Sequence, residues 1–122
     1  SSQDATISIC LTRDTRTERL IRELGEFAVN VLSSMQQQVA DRFAGRHKAF
    51  EDKRFEGIDW EPGDQHAAPL LAGAKARLQC RVLHQIDLGD HTLFVARVLH
   101  AAIHEDANPL VFYQSAYCDL PT

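Results

Sequence analysis

No apolar run in the chain approaches the ~20 consecutive residues that a membrane-spanning helix needs, so no membrane span is expected. Basic residues are also sparse: 13 Lys and Arg against 17 Asp and Glu give a formal net charge of −4 and a pI of about 5.8. Without a basic block, nucleic acid is not an expected partner. There are only three cysteines, Cys10, Cys80 and Cys118, widely spaced and with no CxxC. An odd, scattered set argues against a disulfide framework. Cys10 and Cys80 sit in apolar runs and read as small core residues. The first residues carry no charged-then-apolar signal pattern, and the expected compartment is a reducing cytoplasm. The six glycines form neither GxGxxG nor GxxxxGK[ST], which leaves Rossmann dinucleotide binding and P-loop phosphate binding unsupported.

What is present is the composition of a folded domain. Hydrophobic residues make up 44% and charged residues 25% of 122 residues, enough for one domain that folds without metal or disulfide.

"TISICLT" (6–12) alternates and is rich in β-branched residues, which predicts a strand. "TRTE" (15–18) is a capping box: the Thr15 hydroxyl accepts from the Glu18 amide, and the Glu18 carboxylate reaches back to the Thr15 amide. Leu20, Ile21 and Leu24 then follow helical spacing and Gly25 supplies a left-handed stop, predicting a helix over 15–24. "FAVNVLS" (27–33) is a second strand interrupted by Asn30. Ser34 and Gln37 repeat the capping-box pattern before a second helix, about 35–44, with Met35, Val39 and Phe43 on one face and Gly45 at its end. Residues 46–69 read as an irregular excursion pinned by Phe50, Phe55 and Trp60. A long hairpin follows, 76–86 and 91–103, joined by "DLGD", with a last strand at 110–113. Hairpin-linked strands imply antiparallel pairing and a barrel or rolled sheet with helices at its ends.

His100 and His104 have the four-residue spacing of zinc-binding helices, but they lie in a strand pattern. Four strand residues span ~13 Å, too far for two ligands of one ion, so no metal site is expected. The cysteines have apolar flanks that argue against an activated nucleophile. What remains is polar residues at strand ends. Thr12, Arg13, Thr15 and Thr17 sit where a strand feeds a capped helix, as simple capping or as a phosphate seat of helix N–H groups, hydroxyls and an arginine. Asn30 is either a satisfied core amide or a hydrogen-bonder to a ligand. His91, after Gly89-Asp90, is either a solvated turn residue or a group aimed at a ligand.

"ISICLTRDTRT" (7–17), "GEFAVNVLSSMQQQVADRFAG" (25–45), Trp60, "APLLAGAKARLQCRV" (68–82), "GDH" (89–91) and "PLVFYQSAY" (109–117) together resemble the flavin-reductase-like proteins of the FMN-binding split-barrel class, which include the reductase partners of two-component flavin monooxygenases. The pieces keep the family's order and approximate spacing over nearly the whole chain. The family's N-terminal flavin-holding strands are absent or reduced to Ser1-Ser2, and Asp4-Ala5-Thr6 stands where Asp-Pro-Pro is common. The chain is therefore expected to be a single domain, 1–122, incomplete at its N-terminus.

The resemblance implies a mainly β fold with short helices: a six-stranded Greek-key split barrel, assembled as a homodimer. It implies an NAD(P)H:flavin oxidoreductase that transfers hydride from NADH or NADPH to FMN or FAD and supplies reduced flavin to a partner monooxygenase. The alternatives are a non-catalytic flavin-binding module of the same barrel and a truncated barrel serving as an interaction unit. By the resemblance, Thr12, Arg13, Thr15 and Thr17 would hold the phosphate and ribityl end, and Asn30 would lie by the flavin. Gly89, Asp90 and His91 would sit by the flavin and nicotinamide rings, with His91 as the catalytic residue favouring negative charge on reduced flavin. Hydride transfer needs no general base; it needs two rings held in contact with water excluded.

Overall fold

The structure, a computed structural model, describes residues 5–44, 55–63 and 68–120. Its centre is a four-stranded antiparallel sheet in the order β1-β6-β5-β2, with β1 Thr6–Thr12, β2 Glu26–Val31, β5 Ala76–Asp87 and β6 His91–Ile103. The first strand returns beside the last, which is Greek-key order. The long β5–β6 hairpin is the spine. Its register slips between Gln79 and Cys80 and again between Val82 and His84. Such bulges bend and twist a strand, so the hairpin curls into a half-barrel. β1 lies along the first half of β6, from Thr6 opposite Arg97 to Thr12 opposite His91. β2 lies along the first half of β5.

Strand alternation puts Ile7, Ile9 and Leu11 on one face with their partners Ala96, Phe94 and Thr92. That face meets helix α1, Arg16–Leu24, and the core of Ile21, Phe27, Cys80, Phe94 and Ala96 forms between them. Helix α1 is capped as its sequence dictates at both ends. Thr15 accepts from the Glu18 amide, and Gly25, at φ +71°, donates its N–H to the Ile21 carbonyl.

Several local expectations are corrected. The Glu18 carboxylate accepts from the Asp14 amide at 3.1 Å, not from Thr15. Helix α2 is shorter than expected, Gln37–Phe43, and has no side-chain cap, so Ser34 and Gln37 form no capping box. Gln36 instead binds backbone on both sides: Oε1 accepts from the Ser33 amide and Nε2 donates to the Ala72 carbonyl, each at 2.9 Å. Met35 lies outside the helix and is exposed. The excursion contains a small hairpin, β3 Trp60–Pro62 with β4 Pro69–Leu71, and the C-terminal strand β7, Val111–Tyr113, pairs with an eighth, β8, Ala116–Cys118. Phe55 packs between Phe43 and Trp60 as an anchor. Gly45, Phe50 and Ser1-Ser2 lie outside the described residues.

Asn30 ties β4 to the main sheet. Its Nδ2 donates to the Pro69 carbonyl at 3.1 Å and its Oδ1 accepts from the Leu71 amide at 2.8 Å. One side-chain amide thus imitates the paired donor and acceptor of a neighbouring strand. Leu71 is buried, so Asn30→Ala should leave two backbone groups unpaired and cost about 2 kcal/mol or more. Urea unfolding would measure that cost. A loss below about 0.5 kcal/mol would show that water replaces the amide without penalty.

Candidate functional site

The loop after β1 and the turn between β5 and β6 meet at one corner of the sheet. The turn is set by Gly89, at φ +88°, with the Leu88 amide donating to the His91 carbonyl at 2.9 Å. A positive φ at the first central position alone is the type II′ hairpin geometry that glycine supplies. Asp87 Oδ1 accepts from the Gly89 amide at 2.8 Å and fixes the turn further. The Arg13 amide donates to the Asp90 carbonyl at 2.9 Å, and Thr12 stands opposite His91 in the ladder. So Thr12, Arg13, Gly89, Asp90 and His91, far apart in sequence, share one corner. His91 Nδ1 lies 3.0 Å from Asp90 Oδ1. That hydrogen bond, and then the imidazole's charge, hold the Asp90 carboxyl below its ordinary range. Among the described residues His91 Nε2 has no partner and is available to a ligand.

Beneath the corner lies a charge with no water around it. Glu18 is fully buried. Its carboxylate accepts from Arg22 at 2.9 and 2.7 Å, from the Thr92 hydroxyl at 3.0 Å and from the Asp14 amide at 3.1 Å. The Arg22 hydrogen bonds outweigh burial, with help from Thr92 and Asp14, and hold the carboxyl down to about 2. The same pairing raises the Arg22 guanidinium above its ordinary range. One carboxylate therefore binds α1, the β1–α1 loop and the start of β6 together. Asp14 reaches this arrangement with φ +64° and itself pairs with Arg22 at 3.0 Å.

Thr15 is spent on structure: its hydroxyl donates to the Thr12 carbonyl at 2.9 Å and accepts from the Glu18 amide. Thr17 and Asn30 face elsewhere. Both line a largely apolar cavity of about 730 Å³ between α1, β2, α2 and β4, whose walls include Leu20, Phe27, Phe43 and Leu71. None of Thr12, Arg13, Thr15, Gly89, Asp90 or His91 lines it. The residues read from sequence thus fall into two groups on either flank of α1, joined at its N-terminus by the run from Thr15 to Thr17. Sequence reading missed Glu18 as a buried charge, and missed Thr92, Arg22 and Asp87. The signals available were an Arg four residues after Glu18 and a lone Thr on the core-facing side of β6.

Among the described residues no group of three or more His, Cys, Asp or Glu is placed to hold a metal ion. The Cys80 thiol is pushed up to about 11 by burial, unsuited to nucleophilic work. No described helix is long and apolar enough to cross a membrane.

A curled, Greek-key half-barrel with short helices is the architecture of a split-barrel domain of the flavin-reductase type. The flavin reductase like domain family matches residues 1–121, and the chain belongs to that family. It is 35% identical over 115 residues to the flavin reductase (NADH) of Kitasatospora aureofaciens, covering 93% of this chain and 58% of that protein. The NADH:FAD oxidoreductase SgcE6 of Streptomyces globisporus superposes with a TM-score of 0.88 at 29% identity, over 100% of this chain and 72% of that one, and has also been solved with NAD and FAD fragments. BorF, the flavin reductase component of a bacterial two-component tryptophan halogenase, superposes at 0.85 with 33% identity, over 100% of this chain and 76% of that one. The chain spans between about half and two thirds of the length of the curated reductases it matches, 58% and 52% for the first two.

The buried carboxylate makes stability depend on pH in a defined window. Below its ordinary value of 4.5 the unfolded chain takes a proton that folded Glu18 refuses until about pH 2. The stability from this pairing is complete above that ordinary value, falls as pH drops through the window, and is gone below its end. Glu18→Gln should lower the melting temperature at neutral pH and flatten its acid dependence between pH 4.5 and 2. Thermal unfolding of both proteins across that range checks this; parallel curves would contradict it.

Proposed function

We propose that this domain serves NAD(P)H-dependent flavin reduction, with NADH or NADPH as reductant and FMN or FAD as acceptor, delivering reduced flavin to a partner monooxygenase. The observation that carries the reading is the contact between the Arg13 loop and the Gly89–His91 turn, made by the Arg13 amide on the Asp90 carbonyl at 2.9 Å. It sets a cation and a helix N-terminus beside a hydrogen-bonding histidine, and the fold around them matches a known NADH:FAD oxidoreductase.

The residues fit a flavin. Arg13 is paired with an exposed carboxylate that it can exchange for a ligand's anion, and the N–H groups opening α1 favour an anion. Arg13 and Thr12 would take the phosphate and ribityl end, with Thr15 holding the loop's shape. Gly89, lacking a side chain, lets a ring approach the turn. Asp90 fixes the His91 ring through Nδ1 and leaves Nε2 to hydrogen-bond the flavin or the nicotinamide. Thr17 lies at the edge of the apolar cavity, and Asn30 acts through β4, which it holds as the cavity's wall. A bound flavin supplies the hydride acceptor; the protein's part is orientation and exclusion of water.

The assembly in this reading is a homodimer, and the compartment is the cytoplasm, in keeping with three unpaired cysteines. NADH and NADPH oxidation with FMN or FAD, under air, tests the activity. His91→Ala should lower flavin-dependent turnover by about tenfold or more while leaving the fold intact, because the side chain is partly exposed. Flavin binding without oxidation would instead favour a binding module. A stable oligomer that binds no flavin would favour an interaction unit.

A further inference from the structure

We propose that Asp87 is a built-in counter-anion for the phosphate seat, setting how strongly the site prefers a phosphorylated flavin to riboflavin. The inference rests on the reading just given and names what tunes it. Arg13 Nη1 lies 3.1 Å from Asp87 Oδ1 and 3.5 Å from the Thr92 hydroxyl. The Thr92 hydrogen is already donated to Glu18, so toward Arg13 that hydroxyl acts as an acceptor. Asp87 is the carboxylate that meets Arg13; its neighbours are committed elsewhere, Asp14 to Arg22, Asp90 to His91 and Glu18 to the buried cluster.

Two features make this pair exchangeable. The Asp87 side chain is 64% exposed and that of Arg13 32%. A pair whose carboxylate stays hydrated is weakly held, whereas a phosphate offers more charge and a bidentate fit to a guanidinium's planar fork. Asp87 Oδ1 is also held by the turn, through the Gly89 amide, so it stays nearby after the arginine turns to a ligand. A phosphate arriving at Arg13 must therefore displace this carboxylate and then tolerate its charge. Riboflavin carries no anion, leaves the pair intact and meets no such opposition.

Asp87→Asn removes the charge but keeps an Oδ1 that accepts from the Gly89 amide, so the turn survives. Dissociation constants for FMN and riboflavin, read by flavin fluorescence on the full chain, test the proposal. In Asp87→Asn, FMN should bind about three- to tenfold more tightly and riboflavin within about twofold of wild type. The gain should shrink with added salt and be cut back when Arg13→Gln is also present, because only the carboxylate's repulsion of the phosphate is then relieved. Asp106→Asn, beyond the far end of the 13-residue β6, should change neither constant. Equal shifts for both flavins, no tightening of FMN, or a gain undiminished without Arg13 would overturn the proposal while leaving the flavin reading in place. Failure of the wild-type chain to bind either flavin would sink that reading and the inference with it.

Discussion

A carboxylate sealed from water must be met by donors on nearly every side, because its own hydration is gone and nothing else can replace it. Glu18 meets that condition with an arginine from its own helix, a hydroxyl from β6 and an amide from the preceding loop. The demand runs in both directions. The carboxylate needs those groups, and the groups are thereby forced into one geometry: α1 against the sheet, Asp14 in a left-handed conformation, Thr92 at the start of β6. The corner that carries Arg13 and His91 is the outer surface of this knot. Arg13 and His91 each adjoin a residue whose backbone or side chain Glu18 holds, so the relative placement of the two follows from the buried charge beneath them.

Much of this fold was legible because it is local. The alternation of 6–12, the Thr15 cap, the Gly25 stop and the "DLGD" turn are decided within a few residues, and the structure has all four. The long hairpin was equally plain. What escaped was decided by tertiary contact. Gln36 and Asn30 were polar residues next to apolar runs, and their task is to stand in for missing backbone partners of β4 and its neighbours. Nothing in a strand or helix period announces that. Of the three-residue strands, β7 was expected at 110–113, whereas β3, β4 and β8 are too short for alternation to register and exist through their pairing.

The site shows the same division. Thr12, Arg13, Gly89, Asp90 and His91 could be singled out one by one as polar residues at element ends, and the resemblance grouped them. Their convergence is a matter of register, fixed by Thr12 standing opposite His91. Thr15 and Asn30 were read with a structural and a binding alternative side by side. In the structure both have their polar atoms engaged by backbone. Glu18 was visible as part of a capping box, and that reading accounted for it so fully that its charge went unexamined. The Arg four residues on marks an ordinary surface pair in most helices; burial is what changes its meaning.

Burial also sorts the corner's charges by what they can do. The Glu18–Arg22 pair is tied on the carboxylate side to a group with no exposure, and separating it would strand that group away from water. It cannot yield to a ligand and so belongs to the frame. The Asp90–His91 pair stands in solvent and the Arg13–Asp87 pair has its carboxylate exposed, so in each the anion loses little hydration and parting costs little free energy. Such contacts can be traded for a ligand's charge at small cost. The proposed binding corner would need both kinds: pairs that hold their shape whatever arrives, and pairs loose enough to exchange. Here they are stacked, the fixed one in the core and the exchangeable ones above it, with Thr92 touching both Glu18 and Arg13. Releasing Asp87 from Arg13 therefore leaves the arginine's anchor in place, and a ligand can take over the guanidinium without disturbing the core that presents it.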